Sequence, residues 1–170
     1  MSAAIYAIAT MDTKGAELAF VREVLRSAGV SVLTVDVGTL ECPQVPPDIS
    51  REQAQAAAGQ SASIPSGDRG SAIKAMAESL RIFLLEEFAA GRVAGVIGLG
   101  GSGGTSLITT AMRALPIGLP KLMVSTVASG NVAPYIDCSD ITLMYSVVDV
   151  AGLNAVSEVI LCNAAYAMAG

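Results

Sequence analysis

The chain reads as an α/β domain: a Rossmann-like, mainly parallel sheet with helices on both faces. Three observations carry that reading. Short apolar runs of strand length alternate with longer stretches whose apolar residues recur at helical spacing, the pattern of strand–helix–strand units. A glycine-rich stretch, Gly98-Leu99-Gly100-Gly101-Ser102-Gly103-Gly104-Thr105-Ser106, joins one such run to one such helix. Polar residues collect just after the runs, and right-handed crossovers bring those positions to one edge of a parallel sheet.

Taken in order, Ala3–Ala9 is an apolar run that reads as a buried parallel strand, ending in Thr10-Met11-Asp12-Thr13-Lys14. Leu18, Val21, Leu25 and Ala28 keep one helical face, with Thr13 as N-cap and Gly29 as the C-terminal stop. Val30–Val37 is the second strand, with Asp36 near its end. From Gly38 to Gly67 the pattern loosens. Pro43, Pro46 and Pro47 interrupt regular structure, and Ser50 with Gln53 forms a capping box for a short alanine-rich helix. This stretch reads either as an excursion or lid over the surface or as a plain connection. Ser66-Gly67-Asp68-Arg69-Gly70 opens a long helix whose buried stripe is Ile73, Met76, Leu80, Phe83 and Leu84, stopped by Gly91.

Val93–Ile97 leads into the glycine loop, and Leu107, Ile108, Ala111, Met112 and Leu115 follow at helical spacing. Pro116 ends that helix and Leu119–Val124 is the next strand. A loop of small hydroxyl residues, Ser125–Asn131, comes after it. Ile141–Tyr145 reads as a strand, followed by Ser146–Gly152. Leu153, Val156, Ile160, Ala164 and Ala167 give the last helix its apolar face. No internal repeat is present.

At 170 residues the chain is of single-domain length. Hydrophobic residues are 52% and charged residues 15%, so part of the surface is expected to be covered by another domain or subunit. The final helix, small on more than one face with Ala165 read as outward, makes a homodimer the simplest cover. A net charge of −5 argues against a nucleic-acid or anionic-membrane partner. The uncharged segment Val93–Met112 is too rich in Gly, Ser and Thr for a membrane span. The N-terminus lacks a basic region and apolar core of signal-peptide type. Cys42, Cys138 and Cys162 show no CxxC spacing; they read as small buried hydrophobes in a reducing cytoplasm. Without histidine or clustered thiols zinc is disfavoured, whereas Mg²⁺ held by carboxylates and phosphate stays open.

The glycine loop is the centre of the functional reading. Free N–H groups and the positive helix dipole at its strand-to-helix turn favour an anion, and phosphate is the natural guest. Its glycines let the backbone approach a ligand and adopt positive φ. The other reading is a loop that only permits close helix–strand packing. Two named patterns match in letters and fail on context. Gly98-x-Gly100-x-x-Gly103 lacks the acidic residue that should hold a ribose, since Gly118, Leu119, Pro120 and Lys121 stand there. Gly100-x-Ser102-x-Gly104 lacks a histidine partner anywhere in the chain. A Walker loop is excluded because Gly104 is followed directly by Thr105.

Four polar clusters should converge at the ligand edge: Thr10–Lys14, Gly100–Ser106, Ser125–Gly130 and Ser146–Gly152. Within them the candidate ligand contacts are Thr10, Asp12, Thr13, Lys14, Gly100, Gly101, Ser102, Gly103, Gly104, Thr105, Thr126, Ala128, Ser129, Gly130 and Asp149. Lys14 reads either as a point charge for phosphate or as a solvated first-turn lysine. Asp12 reads as a ligand for Mg²⁺ or a ribose hydroxyl and Asp149 as a ligand-contacting or Mg²⁺-binding carboxylate, and each reads alternatively as a helix-capping carboxylate. Ser102, Thr105, Thr126 and Ser129 are donors to phosphate oxygens or capping hydroxyls. No catalytic base stands out, so the question of enzymatic activity stays open.

The motifs Thr10-x-Asp12-Thr13-Lys14, Asp68-Arg69-Gly70, Gly98 to Leu107, Leu115-Pro116-Ile117-Gly118-x-Pro120-Lys121-Leu122-Met123, Ser125 to Gly130 and Ser146-Val147-Val148-Asp149-Val150 occur in that order. Together they resemble the N-terminal domain of a largely uncharacterised family of ATP-binding proteins that includes the tomato mosaic virus resistance protein and bacterial and fungal relatives. The resemblance implies a nucleotide-binding α/β domain with ATP as ligand, followed in the longer protein by a second C-terminal domain of barrel-like fold. In the plant member this region blocks a viral replication protein; no residue here supports carrying that role over, and a metabolic role fits better. Three readings stand together: an ATP-binding domain, an enzyme domain acting on a phosphorylated metabolite, and a protein–protein interaction or dimerisation module.

Overall fold

Five apolar runs become strands: β1 (Ala4–Ala9), β2 (Val32–Asp36), β3 (Val93–Gly100), β4 (Lys121–Ser125) and β5 (Thr142–Tyr145). The structure, a computed structural model, describes residues 3–59 and 69–170, apart from the Arg69 side chain. Asp68 and the expected helix start at 66–68 lie outside the described residues. All neighbouring strands are parallel, in the order β2-β1-β3-β4-β5. β1 and β3, at the centre, are apolar and almost wholly buried because helices cover both faces of the sheet.

The helices are α1 (Met11–Ser27), α2 (Arg51–Ala57), α3 (Arg69–Ala89), α4 (Ser102–Ala114), α5 (Ala133–Ile136) and α6 (Ala155–Ala169). Alternation along β1 divides the core in two. Ile5, Ala7 and Ala9 pack with Leu18, Val21 and Leu25 of α1 and Leu161 and Ala164 of α6. Tyr6 and Ile8 face Met76, Leu80 and Leu84 of α3 and Ile108 and Met112 of α4. The α/β Rossmann-like architecture expected from the alternating pattern is therefore present, with α1 and α6 on one face and α2, α3 and α4 on the other.

Several local expectations are corrected. The first helix starts at Met11 with Thr10 as N-cap and no side-chain cap, instead of at Thr13. Its first amide is satisfied from a distance, by the Asp36 carboxylate on β2, and Lys14 breaks the first turn with φ −131° and ψ 24°. β4 starts at Lys121, not Leu119, because Gly118 turns the chain at φ +94° and Pro120 has no N–H for the ladder. Cys42 and Cys138 are exposed and Cys162 is half-buried, since the first two stand in irregular connections and not on core faces. Ala165 points into the core, and the outward stripe of α6 is formed by Val156, Val159 and Tyr166. The capping box of Ser50 and Gln53 forms as expected at the start of α2. No helix among the described residues is long and apolar enough to cross a membrane.

Candidate functional site

The strand order places a topological switch between β1 and β3. From β1 the chain moves outward to β2, and from β3 it moves the opposite way to β4, so the connections diverge and leave a crevice beyond the strand ends. That crevice holds a cavity of about 290 Å³, at the lower end of the size of small-molecule sites. One wall is Thr10, Asp12, Thr13 and Lys14; the facing wall is Gly101, Ser102, Gly103 and Gly104. Thr39, Leu40, Ile73 and Leu107 complete the lining.

The glycines do two kinds of work. Gly98 and Gly100 belong to packing. A Cβ on Gly98 would lie 2.6 Å from Met123 Sδ and 2.8 Å from Ile108 Cγ2, and one on Gly100 2.8 Å from the Thr105 amide nitrogen. These close approaches seat α4 against β3. Gly101 and Gly104 have only ordinary contacts around such a Cβ, at 3.7 Å and 3.8 Å, so helix–strand packing does not demand them. None of the loop glycines adopts positive φ, which corrects that part of the expectation: their value lies in small size and open backbone.

Within α4 the first helical bond runs from the Thr105 amide to the Gly101 carbonyl at 2.8 Å. The amides of Ser102, Gly103 and Gly104 precede it and have no intrahelical acceptor. No side chain caps this end. Three N–H groups therefore converge with the helix dipole at the cavity, a setting that favours an anion.

Opposite them, Lys14 Nζ donates to the Val150 carbonyl, leaving further ammonium donors, since lysine has three. That bond pulls the 146–152 loop against the end of β1, assisted by the Gly152 amide donating to the buried Glu17 carboxylate at 2.5 Å. Asp12 accepts from the Leu40 amide through Oδ2 at 3.2 Å. Its Oδ1 is buried and has no partner among the described residues. A buried acceptor left unpaired is costly, and Asp12 is one of the residues that line the cavity. It suits a ligand hydroxyl or a cation shared with phosphate oxygens. The described residues contain no group of three acidic, cysteine or histidine side chains able to hold a metal by themselves; Mg²⁺ commonly needs only one or two carboxylates beside phosphate.

The other sequence candidates stand further back. Gly100 is buried, and Thr105 is buried with its hydroxyl 2.6 Å from that of Ser125. Thr126 hangs on the loop through its amide, which donates to the Gly100 carbonyl at 3.2 Å. Ala128 is half-buried, and Ser129 and Gly130 are exposed in the turn beyond β4. Asp149 is exposed and does not line the cavity, so Asp12 and Asp149 are not brought together as cavity-lining carboxylates. The four clusters nevertheless connect: the Ser146 amide donates to the Ser125 carbonyl at 3.1 Å, joining the last two.

Sequence reasoning noted Asp36 without giving it a role. Its Oδ1 accepts from the amides of Met11 at 3.0 Å and Gly38 at 2.8 Å, and Oδ2 binds Arg51. Arg51 also donates to the Glu41 carbonyl at 2.6 Å. One buried carboxylate thus fixes both the Thr10–Lys14 wall and the segment carrying Thr39 and Leu40. The available signal was an acidic residue closing an apolar strand.

Residues 3–170 match the Uncharacterised protein family (UPF0261) N-terminal domain. The chain belongs to that family. A UPF0261 protein of Rhizobium meliloti is 53% identical over 166 residues, covering 96% of this chain and 41% of the relative. A UPF0261 protein of Clostridium tetani is 40% identical, covering 100% and 43%. The ToMV resistance protein Tm-1(GCR237) of Solanum lycopersicum is 42% identical, covering 98% of this chain and 24% of the plant protein. The chain spans about two fifths of the length of the bacterial UPF0261 relatives. Among solved structures, Drosophila melanogaster DJ-1beta matches with a TM-score of 0.47 and 14% identity, over 100% of this chain and 92% of that one. The family resemblance read from the motifs is borne out.

Proposed function

We propose that this UPF0261 domain binds a phosphorylated small molecule at the β1/β3 crevice, ATP being the ligand implied by its family resemblance. The observation that carries the reading is the facing of two opposite demands across one cavity. The unpaired amides of Ser102, Gly103 and Gly104 call for an anion, beside the ammonium of Lys14. The Asp12 carboxylate in the same lining, whose Oδ1 has no partner among the described residues, calls for a hydroxyl donor or a cation. A nucleotide phosphate with its ribose, or with Mg²⁺, answers both.

The cavity's modest volume gives a second reading some support: a phosphorylated metabolite smaller than ATP, bound as a substrate. Calorimetric titration with ATP, adenosine and ribose 5-phosphate, each with and without Mg²⁺, separates the two. The nucleotide reading expects ATP to bind at least about tenfold more tightly than adenosine, the yield of one charge-assisted contact. Gly103→Val, whose Cβ meets only the flexible end of Ile73 at 3.3 Å, should abolish binding while the fold persists. Equal affinity for ATP and adenosine, or undiminished affinity in folded Gly103→Val, overturns the assignment. Tight ribose 5-phosphate binding with weak ATP binding favours the metabolite.

A partner surface belongs to the same proposal. Val156, Val159 and Tyr166 are exposed along α6, and the bacterial relatives are longer than this chain. A second copy of the domain, or a C-terminal domain where the chain continues, is the proposed cover.

A further inference from the structure

The opposite end of the sheet holds a second cavity, about 580 Å³ against about 290 Å³ at the glycine loop. It lies beside the starting halves of β1 and β2, far along the strands from the crevice. Leu33, Ile49 and Phe83 form an apolar wall, and Tyr6, Glu87 and Arg92 stand among its polar lining. The wall is anchored. Ile49 forms a parallel bridge to Val35, and the Asp48 carboxylate accepts from both the Thr34 amide and hydroxyl at 2.8 Å.

The polar lining has a definite imbalance. Glu87 Oε2 accepts from the Tyr6 hydroxyl at 2.5 Å and from Arg92 Nε at 2.7 Å, while Oε1 accepts from Arg92 Nη2 at 2.6 Å. The Arg92 guanidinium holds the Glu87 carboxyl below the usual carboxylate range. Burial, then the bond to Glu87, pushes the Tyr6 hydroxyl far upward, so it stays protonated. The carboxylate's acceptor capacity is largely taken up. Donors remain: arginine carries five N–H groups, and among the described residues Arg92 Nη1 has no partner. Gln53, also in the lining, accepts from the Ser50 amide through Oε1, which leaves its NH₂ group to donate.

A guest that matches this lining brings acceptors at one end and an apolar body at the other. One guanidinium already paired with a carboxylate suits a single negative charge better than a phosphate dianion, which would crowd Glu87. We infer that this cavity is a binding site for a small monocarboxylate with an aromatic or aliphatic body, its carboxylate on Arg92 and its body against Leu33, Ile49 and Phe83. The site is separate from the glycine loop and does not rest on what binds there.

The test is methyl and amide NMR titration of the intact protein with 4-phenylbutyrate, with 4-phenylbutan-1-ol as the uncharged counterpart. Saturable shifts at Leu33, Ile49 and Phe83 are expected, with the acid binding at least about tenfold more tightly than the alcohol. Arg92→Met should erase that preference. Should its loss unfold the domain by stranding Glu87, Leu33→Trp gives the second arm: it fills the cavity, keeps the ion pair, and should abolish binding. Absent shifts at millimolar acid, shifts confined to the glycine loop, equal affinity for acid and alcohol, or undiminished binding in folded Leu33→Trp each overturn the site.

Discussion

Asp36 is 1% exposed and accepts from two backbone amides and a guanidinium, none of them on its own strand. It lines neither of the two cavities described above, yet it ties together two segments that line the first. Removing it would leave Arg51, only 13% exposed in its side chain, without its buried partner. Asp36→Ala should therefore cost about 3–5 kcal/mol, the usual penalty for breaking a buried pair. Chemical denaturation measures it, and a loss within that of ordinary surface substitutions would show the charge to be dispensable. Lys14 makes a related point: as a first-turn lysine it was open to a solvated reading, but its ammonium bridges to the Val150 carbonyl at the cavity.

Among the described connections, two non-glycine residues take positive φ, Asp137 after α5 and Val147 in the turn after β5, and the second is β-branched. Val147 has φ +64°, a left-handed conformation that a β-branched side chain rarely adopts. The turn is closed by the Val148 amide donating to the Ser146 carbonyl at 2.7 Å and by the Ser146 hydroxyl donating to the Val148 carbonyl at 2.7 Å. Val147 is itself 54% exposed, so little packing opposes its replacement. Strain of this kind costs about 1–3 kcal/mol, against roughly 0.5–1 kcal/mol for the added freedom of glycine. Val147→Gly should thus raise the melting temperature by a few degrees, on the scale of about 2–4 °C per kcal/mol for a domain of this size. A lower melting temperature would mean that the side chain has a packing role outweighing the strain.

Across the molecule, the sheet order explains why the glycine loop and the Thr10–Lys14 turn meet, since β1 and β3 are hydrogen-bonded neighbours although almost ninety residues apart in the chain. Part of the exposed apolar surface is a stripe along α6. α6 buries Leu161, Ala164, Ala165 and Met168 against the sheet and leaves Val156, Val159 and Tyr166 outside. Light scattering at micromolar concentration should find the domain self-associated, and Val159→Glu should separate the copies without unfolding them, because Val159 is 59% exposed. A monomeric parent protein would exclude the homodimer and leave a covalently continuous domain as the cover.

The architecture was legible because its signals are local. Buried parallel strands need unbroken apolar runs, as in Ala4–Ala9 and Val93–Gly100, and a surface helix repeats its apolar residues with its own turn. The Ser50–Gln53 cap and the glycine-rich turn were legible for the same reason, since each lies within a few residues. The matching capping box at Asn154 and Ser157 went unread because a serine stands in place of the usual Glu or Gln. The linear order indicated that the Thr10–Lys14 and glycine-loop clusters would share one edge; what it withheld was which side chains pair across the fold. The start of α1 depends on a carboxylate 25 residues away, Thr105 is turned from the cavity by a hydroxyl 20 residues away, and Ala165 faces inward by the rotation of α6 on the sheet. The second cavity belongs to this class as well. Tyr6 and Glu87 lie 81 residues apart, and only packing α3 on β1 makes them neighbours. Short-range hydrogen-bond and periodicity rules determine elements; which side chains meet is set by how those elements close around two cores.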